Sequence, residues 1–209
     1  MHTTVSVYAW SKRKLNGTGV VREIASCEIP VDRGISSFYP EPRSVKEYIL
    51  DAKCLPQVLS AVPKMARRSS PIYLGGTAGM RVLNVTDPTA ASQIIGNLSE
   101  ALASTPFDHG GTTKAEIVSG TTEGILGWIT SNYLSNVFGT NESRPVPSSR
   151  FGALDWGGAS SQITFEVGEG QRGPPENMHE LGLYGKKYKI FTSSHLCYGQ
   201  AEAVRDPIQ

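Results

Sequence analysis

The 209-residue chain is 39% hydrophobic and 19% charged, which is enough apolar side chain for a buried core and excludes disorder along the whole length. Twenty basic residues against nineteen acidic ones leave a formal charge of +1. Lys and Arg are scattered apart from residues 12–14 and Arg67-Arg68, so the chain has no electrostatic footprint for nucleic acid and no DNA or RNA partner is expected. No apolar run approaches the roughly eighteen residues that a membrane helix needs, and Met1-His2-Thr3 lacks the basic and apolar regions of a signal peptide. Neither an anchor nor a leader is therefore expected within these 209 residues.

Two features point toward a secreted or luminal chain. Four Asn-x-Ser/Thr acceptor sites occur, at Asn16, Asn84, Asn97 and Asn141, and each is a potential glycosylation site. Three cysteines are present, Cys27, Cys54 and Cys197, an odd count that leaves one over if the other two pair.

In chain order, Val5 to Trp10 and Gly19 to Ile29 read as strands rich in β-branched and aromatic residues, with Asn16-Gly17 between them as a hairpin signal. A Gly/Ser/Pro-rich connection, 34–42, precedes a helical pattern from Ser44 to Val62, which Pro56 is expected to kink or split. Ile72 to Leu74 is a short strand running into Gly75-Gly76-Thr77-Ala78-Gly79. Asp87 as cap and Pro88 at the first helical position open a helix with Ile94, Ile95, Leu98, Ala101 and Leu102 on one face. Glu116 to Val118 reads as a strand and Thr121 to Phe138 as a helix, followed by a polar loop over 139–150. Phe151 to Leu154 and Gln162 to Val167 read as strands joined by Asp155-Trp156-Gly157-Gly158-Ala159-Ser160. A loose loop over 168–177 leads to a last strand, Lys187 to Thr192, and a helix from Tyr198. The order predicts an α/β domain with a mixed sheet.

The candidate chemistry sits at strand ends, where open α/β sheets place ligands. Asp155 follows what reads as a buried strand, and the glycines after it let backbone N–H groups approach a phosphate as an anion-binding nest. That pairing of carboxylate and nest suits phosphate held with a divalent cation; a tight hairpin is the plainer reading of the same residues. Gly75 to Gly79 repeats the device at another strand end. Glu123 lies three residues past Gly120, near the positive end of a helix and with no basic neighbour in sequence. Partly buried, it would serve as a general base; a favourable dipole contact is the plainer alternative.

These segments resemble, in order, four of the five signature regions of the ecto-nucleoside triphosphate diphosphohydrolases, or apyrases, of the actin, hexokinase and Hsp70 superfamily. Tyr73-Leu-Gly-Gly-Thr-Ala-Gly-Met-Arg81 is similar to the second region. The stretch from Val118 to Tyr133 is similar to the long third region, with Leu126 where the family usually has an aromatic. Leu154-Asp-Trp-Gly-Gly-Ala-Ser-Ser-Gln-Ile-Thr-Phe165 is similar to the fourth, with Trp156 in place of an aliphatic residue. Leu196-Cys-Tyr-Gly199 is similar to the fifth in the form that the cell-surface members carry. The resemblance covers nearly the whole chain.

The resemblance implies an actin-like, ribonuclease H-like α/β lobe and hydrolysis of extracellular ATP and ADP to the monophosphate and phosphate. Glu123 would be the base that activates water, and Ser160 and Gln162 would position that water. Asp155 would hold Ca²⁺ or Mg²⁺ largely through the metal's own waters. Thr77, Ala78, Gly79, Gly157, Gly158 and Ala159 would line the phosphates, together with His2. Cys27 and Cys54 would form a disulfide, with the partner of Cys197 in the second lobe. Full-length relatives are membrane-anchored at the cell surface, and homo-oligomers are possible partners.

The departures shape the remaining expectations. The first signature survives only as His2-Thr3, so one metal-binding aspartate and one phosphate loop are expected to be missing. Most of the second lobe is expected to be missing too, and Gln200 replaces a residue that is often basic in the family. The expected division is an N-terminal lobe over 1–150 and the start of a second lobe over 151–209. The alternative to the hydrolase is a non-catalytic fragment or isoform that binds nucleotide or metal weakly, or that pairs with a full-length partner. Residues 1–209 alone are expected to show no nucleotidase activity.

Overall fold

A computed structural model describes residues 3–10, 14–29, 34–50, 54–107 and 114–205. The chain divides into two compact units, one of residues 1–9 and 22–118 and the other of residues 10–21 and 119–209. The break between strand and helix at Val118/Ser119 differs from the expected division at 150/151. The reason is local: the helix after Ser119 packs on the strands that follow it in sequence.

The first unit pairs β1 (Thr3–Trp10) with β2 (Val21–Ile29), and β3 (Tyr73–Gly76) in parallel with β4 (Lys114–Ile117). Its helices are α1 (Val45–Leu50), α2 (Cys54–Ala61), α3 (Ala78–Thr86) and α4 (Pro88–Ala103). The predicted Ser44–Val62 helix is thus two helices. Pro56 lies in the first turn of α2, where its missing N–H leaves no bond unmade. Asp87 caps α4 as expected, its carboxylate accepting from Ala90 N at 2.9 Å. The core of this unit gathers Val45, Met80, Ala91, Ile94 and Leu98, all at most 1% exposed. Cys27 and Cys54 are joined in a disulfide with Cα atoms 5.4 Å apart.

In the second unit, α5 (Gly120–Leu134) packs on a four-stranded antiparallel sheet of order β5-β6-β8-β7, made of β5 (Ala153–Trp156), β6 (Ser160–Glu166), β7 (Met178–Leu183) and β8 (Lys186–Leu196). The short α6 (Gln200–Arg205) follows. Parallel and antiparallel pairings both occur, as expected, but in separate sheets among the described residues. Trp128 is fully buried among Phe138, Tyr184, Tyr188 and Ile190. Its ring meets Tyr188 edge-on at 5.7 Å and Phe138 at 6.1 Å.

Several elements depart from expectation. Most of α3, from Met80 on, and all of β7 fall on residues for which no element was expected. Helix α5 ends four residues early, because Asn136 turns left-handed (φ 60°) and uses its side chain to hold the loop that follows. Its amide donates to the Arg144 carbonyl at 2.8 Å and accepts from Asn141 N at 2.8 Å. The Asn16-Gly17 turn is present, with φ 46° and 86° at the two central residues and Leu15 and Thr18 exchanging both backbone bonds. These are the angles of the type I′ hairpin turn.

Candidate active site

Strand β6 inverts the usual alternation. Ser160, Gln162 and Thr164 are at most 2% exposed, whereas Ile163 and Phe165 are 43% and 39% exposed. The buried polar face lies under α5, and two features let the helix come close. Gly124 has no side chain, and a Cβ there would stand 2.4 Å from Thr192 Oγ1 and 2.8 Å from Thr164 Oγ1. Those two hydroxyls share a 2.6 Å hydrogen bond that satisfies both within the buried layer.

Directly before Gly124, Glu123 reaches this layer. Gln162 Nε2 donates to Glu123 Oε2 at 3.1 Å, to Ser160 Oγ at 2.8 Å and to Ser194 Oγ at 3.1 Å. Cross-strand register sets Asp155 opposite Gln162, and Gln162 opposite Ser194. A carboxylate, an amide and a hydroxyl therefore form one row across β5, β6 and β8, with a second carboxylate arriving from α5. Ser119 caps the helix by accepting from Thr122 N at 3.0 Å, which leaves Glu123 at the positive end of the α5 dipole. The strand before Asp155 is a correction: β5 is an exposed edge strand with Leu154 at 75% and Trp156 at 58% exposure. Asp155 itself is exposed, because nothing among the described residues pairs the outer side of β5.

The loop from Trp156 to Ser160 is shaped by its carbonyls. All five accept hydrogen bonds: Trp156 O from Gln200 Nε2 (2.9 Å), Gly157 O from Gln200 N (2.8 Å), Gly158 O from Ala201 N (2.8 Å), Ala159 O from Cys197 N (2.8 Å) and Ser160 O from Gly157 N (3.0 Å). Gly199 lies against the same loop, and a Cβ there would meet Ala159 N and the Gly158 carbonyl carbon at 2.4 Å. The loop carbonyls are thus all engaged, and the Gly157 N–H is used within the loop itself.

In the first unit, Thr77, Ala78 and Gly79 form the entry to α3, with Met80 N and Arg81 N both bonded to Thr77 O at 3.0 Å. The preceding glycines have a packing reason as well. A Cβ at Gly75 would meet Val118 Cγ2 at 2.8 Å, and one at Gly76 would meet Met80 Cγ at 2.6 Å. His2 lies outside the described residues. Among the described residues there is no group of three or more His, Cys, Asp or Glu able to hold a metal ion by itself. Cys197 is free and exposed. Of the glycosylation candidates, Asn16, Asn84 and Asn141 are exposed. Asn16 donates to Tyr184 O at 3.4 Å, and Asn97 is half-buried and donates to Pro42 O at 3.1 Å. Sequence reasoning missed Ser194 and Asn132. The latter is fully buried and clasps Phe151, donating to its carbonyl and accepting from its N–H, both at 2.9 Å.

The fold is shared with a nucleoside triphosphate hydrolase from Neospora caninum, whose crystal structure aligns with 86% of this chain and 39% of its own at a TM-score of 0.56 and 16% identity. It is the α/β, actin-like architecture. The GDA1/CD39 (nucleoside phosphatase) family profile matches residues 1–209, and the chain belongs to that family. It is 40% identical to ectonucleoside triphosphate diphosphohydrolase 2 of Mus musculus over 98% of this chain and 41% of that protein. It is 39% identical to ectonucleoside triphosphate diphosphohydrolase 3 of Homo sapiens over 96% of this chain and 38% of that protein. The chain thus spans about two fifths of the length of these relatives.

Proposed function

We propose that this protein hydrolyses nucleoside tri- and diphosphates to the monophosphate and phosphate at the cell surface. The observation that carries the reading is the convergence of Glu123 and Ser160 on the Gln162 amide, at 3.1 and 2.8 Å. Glu123 accepts a proton from water while the water oxygen forms a bond to the terminal phosphorus. The bridging P–O bond breaks, and its electron pair stays on the departing nucleotide oxygen. Ser160 and Gln162 hold that water, and the amides of Gly158 and Ala159 bind phosphate oxygens, whereas the Gly157 N–H expected to join them is committed to Ser160 O at 3.0 Å.

Asp155 is exposed at a strand end beside the amide loop and has no second carboxylate ligand next to it in the row. This donor set fits a hard cation that keeps most of its waters. Bound Ca²⁺ or Mg²⁺ would supply neutralisation of charge on the phosphate oxygens. The Cys27–Cys54 disulfide and the four acceptor asparagines support an oxidising, extracellular setting. In the intact gene product, Glu123→Gln should lower turnover by at least about 10²-fold, the low end for loss of a general base, with little change in nucleotide affinity. Phosphate release from ATP and ADP measures it, and retained turnover refutes the role.

A further inference from the structure

Ser194 belongs to no signature read above, yet its hydroxyl stands in the middle of the site. It faces Gln162 across the β6–β8 pair, and its Oγ is 3.1 Å from Gln162 Nε2. Three oxygens therefore converge on one end of the amide, those of Glu123, Ser160 and Ser194. An ionised carboxylate only accepts, so the end that meets Glu123 is the NH₂ end. The other end, Oε1, is buried, and no group among the described residues donates to it. A buried acceptor in that state is suited to take a hydrogen from a bound molecule.

We infer that Ser194 is a positioning residue for hydrolysis, an inference that rests on the reading of Glu123 as base. The NH₂ group has two hydrogens for three acceptors. When Ser160 turns toward the attacking water, Ser194 is the acceptor that remains for the second hydrogen. Nε2 then stays toward Glu123, and Oε1 stays available to one hydrogen of the water while Glu123 takes the other. The water oxygen is left with a lone pair for phosphorus. If Ser194 only satisfied a buried amide, its loss would cost stability without passing through Gln162 to turnover.

The test is a double-mutant cycle in the intact gene product with ATP as substrate. Ser194→Ala should lower kcat about three- to tenfold, the effect of one lost hydrogen bond, with KM changed less than about twofold. On a Gln162→Ala background the same change should cost nothing more. Ser194→Thr keeps the hydroxyl and should retain more turnover than Ser194→Ala. An equal loss on both backgrounds, or no loss on either, overturns the inference. If Ser194→Ala does not fold, Ser194→Cys enters the same cycle and is judged in the same way. Glu123→Gln separates the two readings. If it is inactive while Ser194 and Gln162 act additively, only the role of Ser194 falls; if it keeps full turnover, both fall.

Discussion

Glu123 and Gly124 occupy adjacent positions in α5 under different constraints, one for the chemistry proposed above and one for space. Glu123 and Gln162 belong to signatures that can be read directly from sequence. The reason for Gly124 cannot, because the two threonine hydroxyls that exclude a Cβ come from β6 and β8. Ser194 was hidden for the same reason, since a serine in a strand carries no local sign of its cross-strand partner. Asp155 supports a separate expectation at this scale. Asp155→Ala should lower turnover and also shift its dependence on Ca²⁺ and Mg²⁺, as expected of a carboxylate proposed to act through the ion. A metal titration of the variant that overlays that of the parent refutes this.

Tyr184 allows a pH prediction. Burial pushes its phenol up to about 12, with Tyr133 adding to the effect. A group whose folded value is raised stabilises the fold fully below its ordinary value, here near 10, and loses that contribution as pH rises through about 12. Unfolding midpoints should therefore decline across that window. Tyr184→Phe should decline less steeply, although it gives up the 3.1 Å bond to the Gly19 carbonyl. Parallel declines in the two proteins would exclude Tyr184 as the source.

Elements with strong local punctuation were legible. Asn16-Gly17 announced its turn, and Asp87-Pro88 announced the start of α4. Helix α3 was not legible, because Gly75 to Gly79 read as loop and Asn84-Val85-Thr86 are weak helix formers. Strand β7 was lost because its turn into β8 puts Tyr184 at φ 50° before Gly185 at φ 78°, where a type I′ turn ordinarily uses Asn or Gly. The packing of α5 on its sheet gives the element-scale test. Gly124→Ala gains up to about 1 kcal/mol in helix propensity but overpacks two short, mutually bonded hydroxyls, which typically costs 1–3 kcal/mol. Net destabilisation is expected, along with lost turnover as Glu123 is lifted from Gln162. Chemical denaturation and phosphate release read the two effects separately.

At the scale of the whole molecule, the exposed outer face of the four-stranded sheet is the unusual property. Leu154, Trp156, Ile163 and Phe165 lie on it at 39% to 75% exposure, and Phe165 stacks on Phe191 at 5.1 Å. An apolar surface of this kind binds hydrophobic dye. Residues 1–209 expressed by themselves should do so, and Leu154→Lys with Ile163→Lys should reduce the signal while the Trp128 core remains. Dye binding unchanged by those substitutions would locate the exposed surface elsewhere. The disulfide works at the same scale. Closing the 27-residue separation between Cys27 and Cys54 should contribute roughly 3 kcal/mol by restricting the unfolded chain, and reduction should lower the unfolding midpoint accordingly.

The grip of residues 197–201 on the loop from Trp156 to Ser160 uses main-chain N–H groups at Cys197, Gln200 and Ala201. Recognition through the backbone is indifferent to side-chain identity at Gln200 and Ala201, so those two positions are open to drift while the loop keeps its shape, whereas Cys197 sits at φ 70°, which disfavours a β-branched residue. Gln200→Arg forfeits only the bond to Trp156 O, whereas proline at 200 or 201 removes a donor outright. Gly199 is constrained in another way, because what matters there is the volume it lacks. Side chains at 200 and 201 can thus change while the loop carbonyls stay held, provided that Gly199 stays and proline stays away.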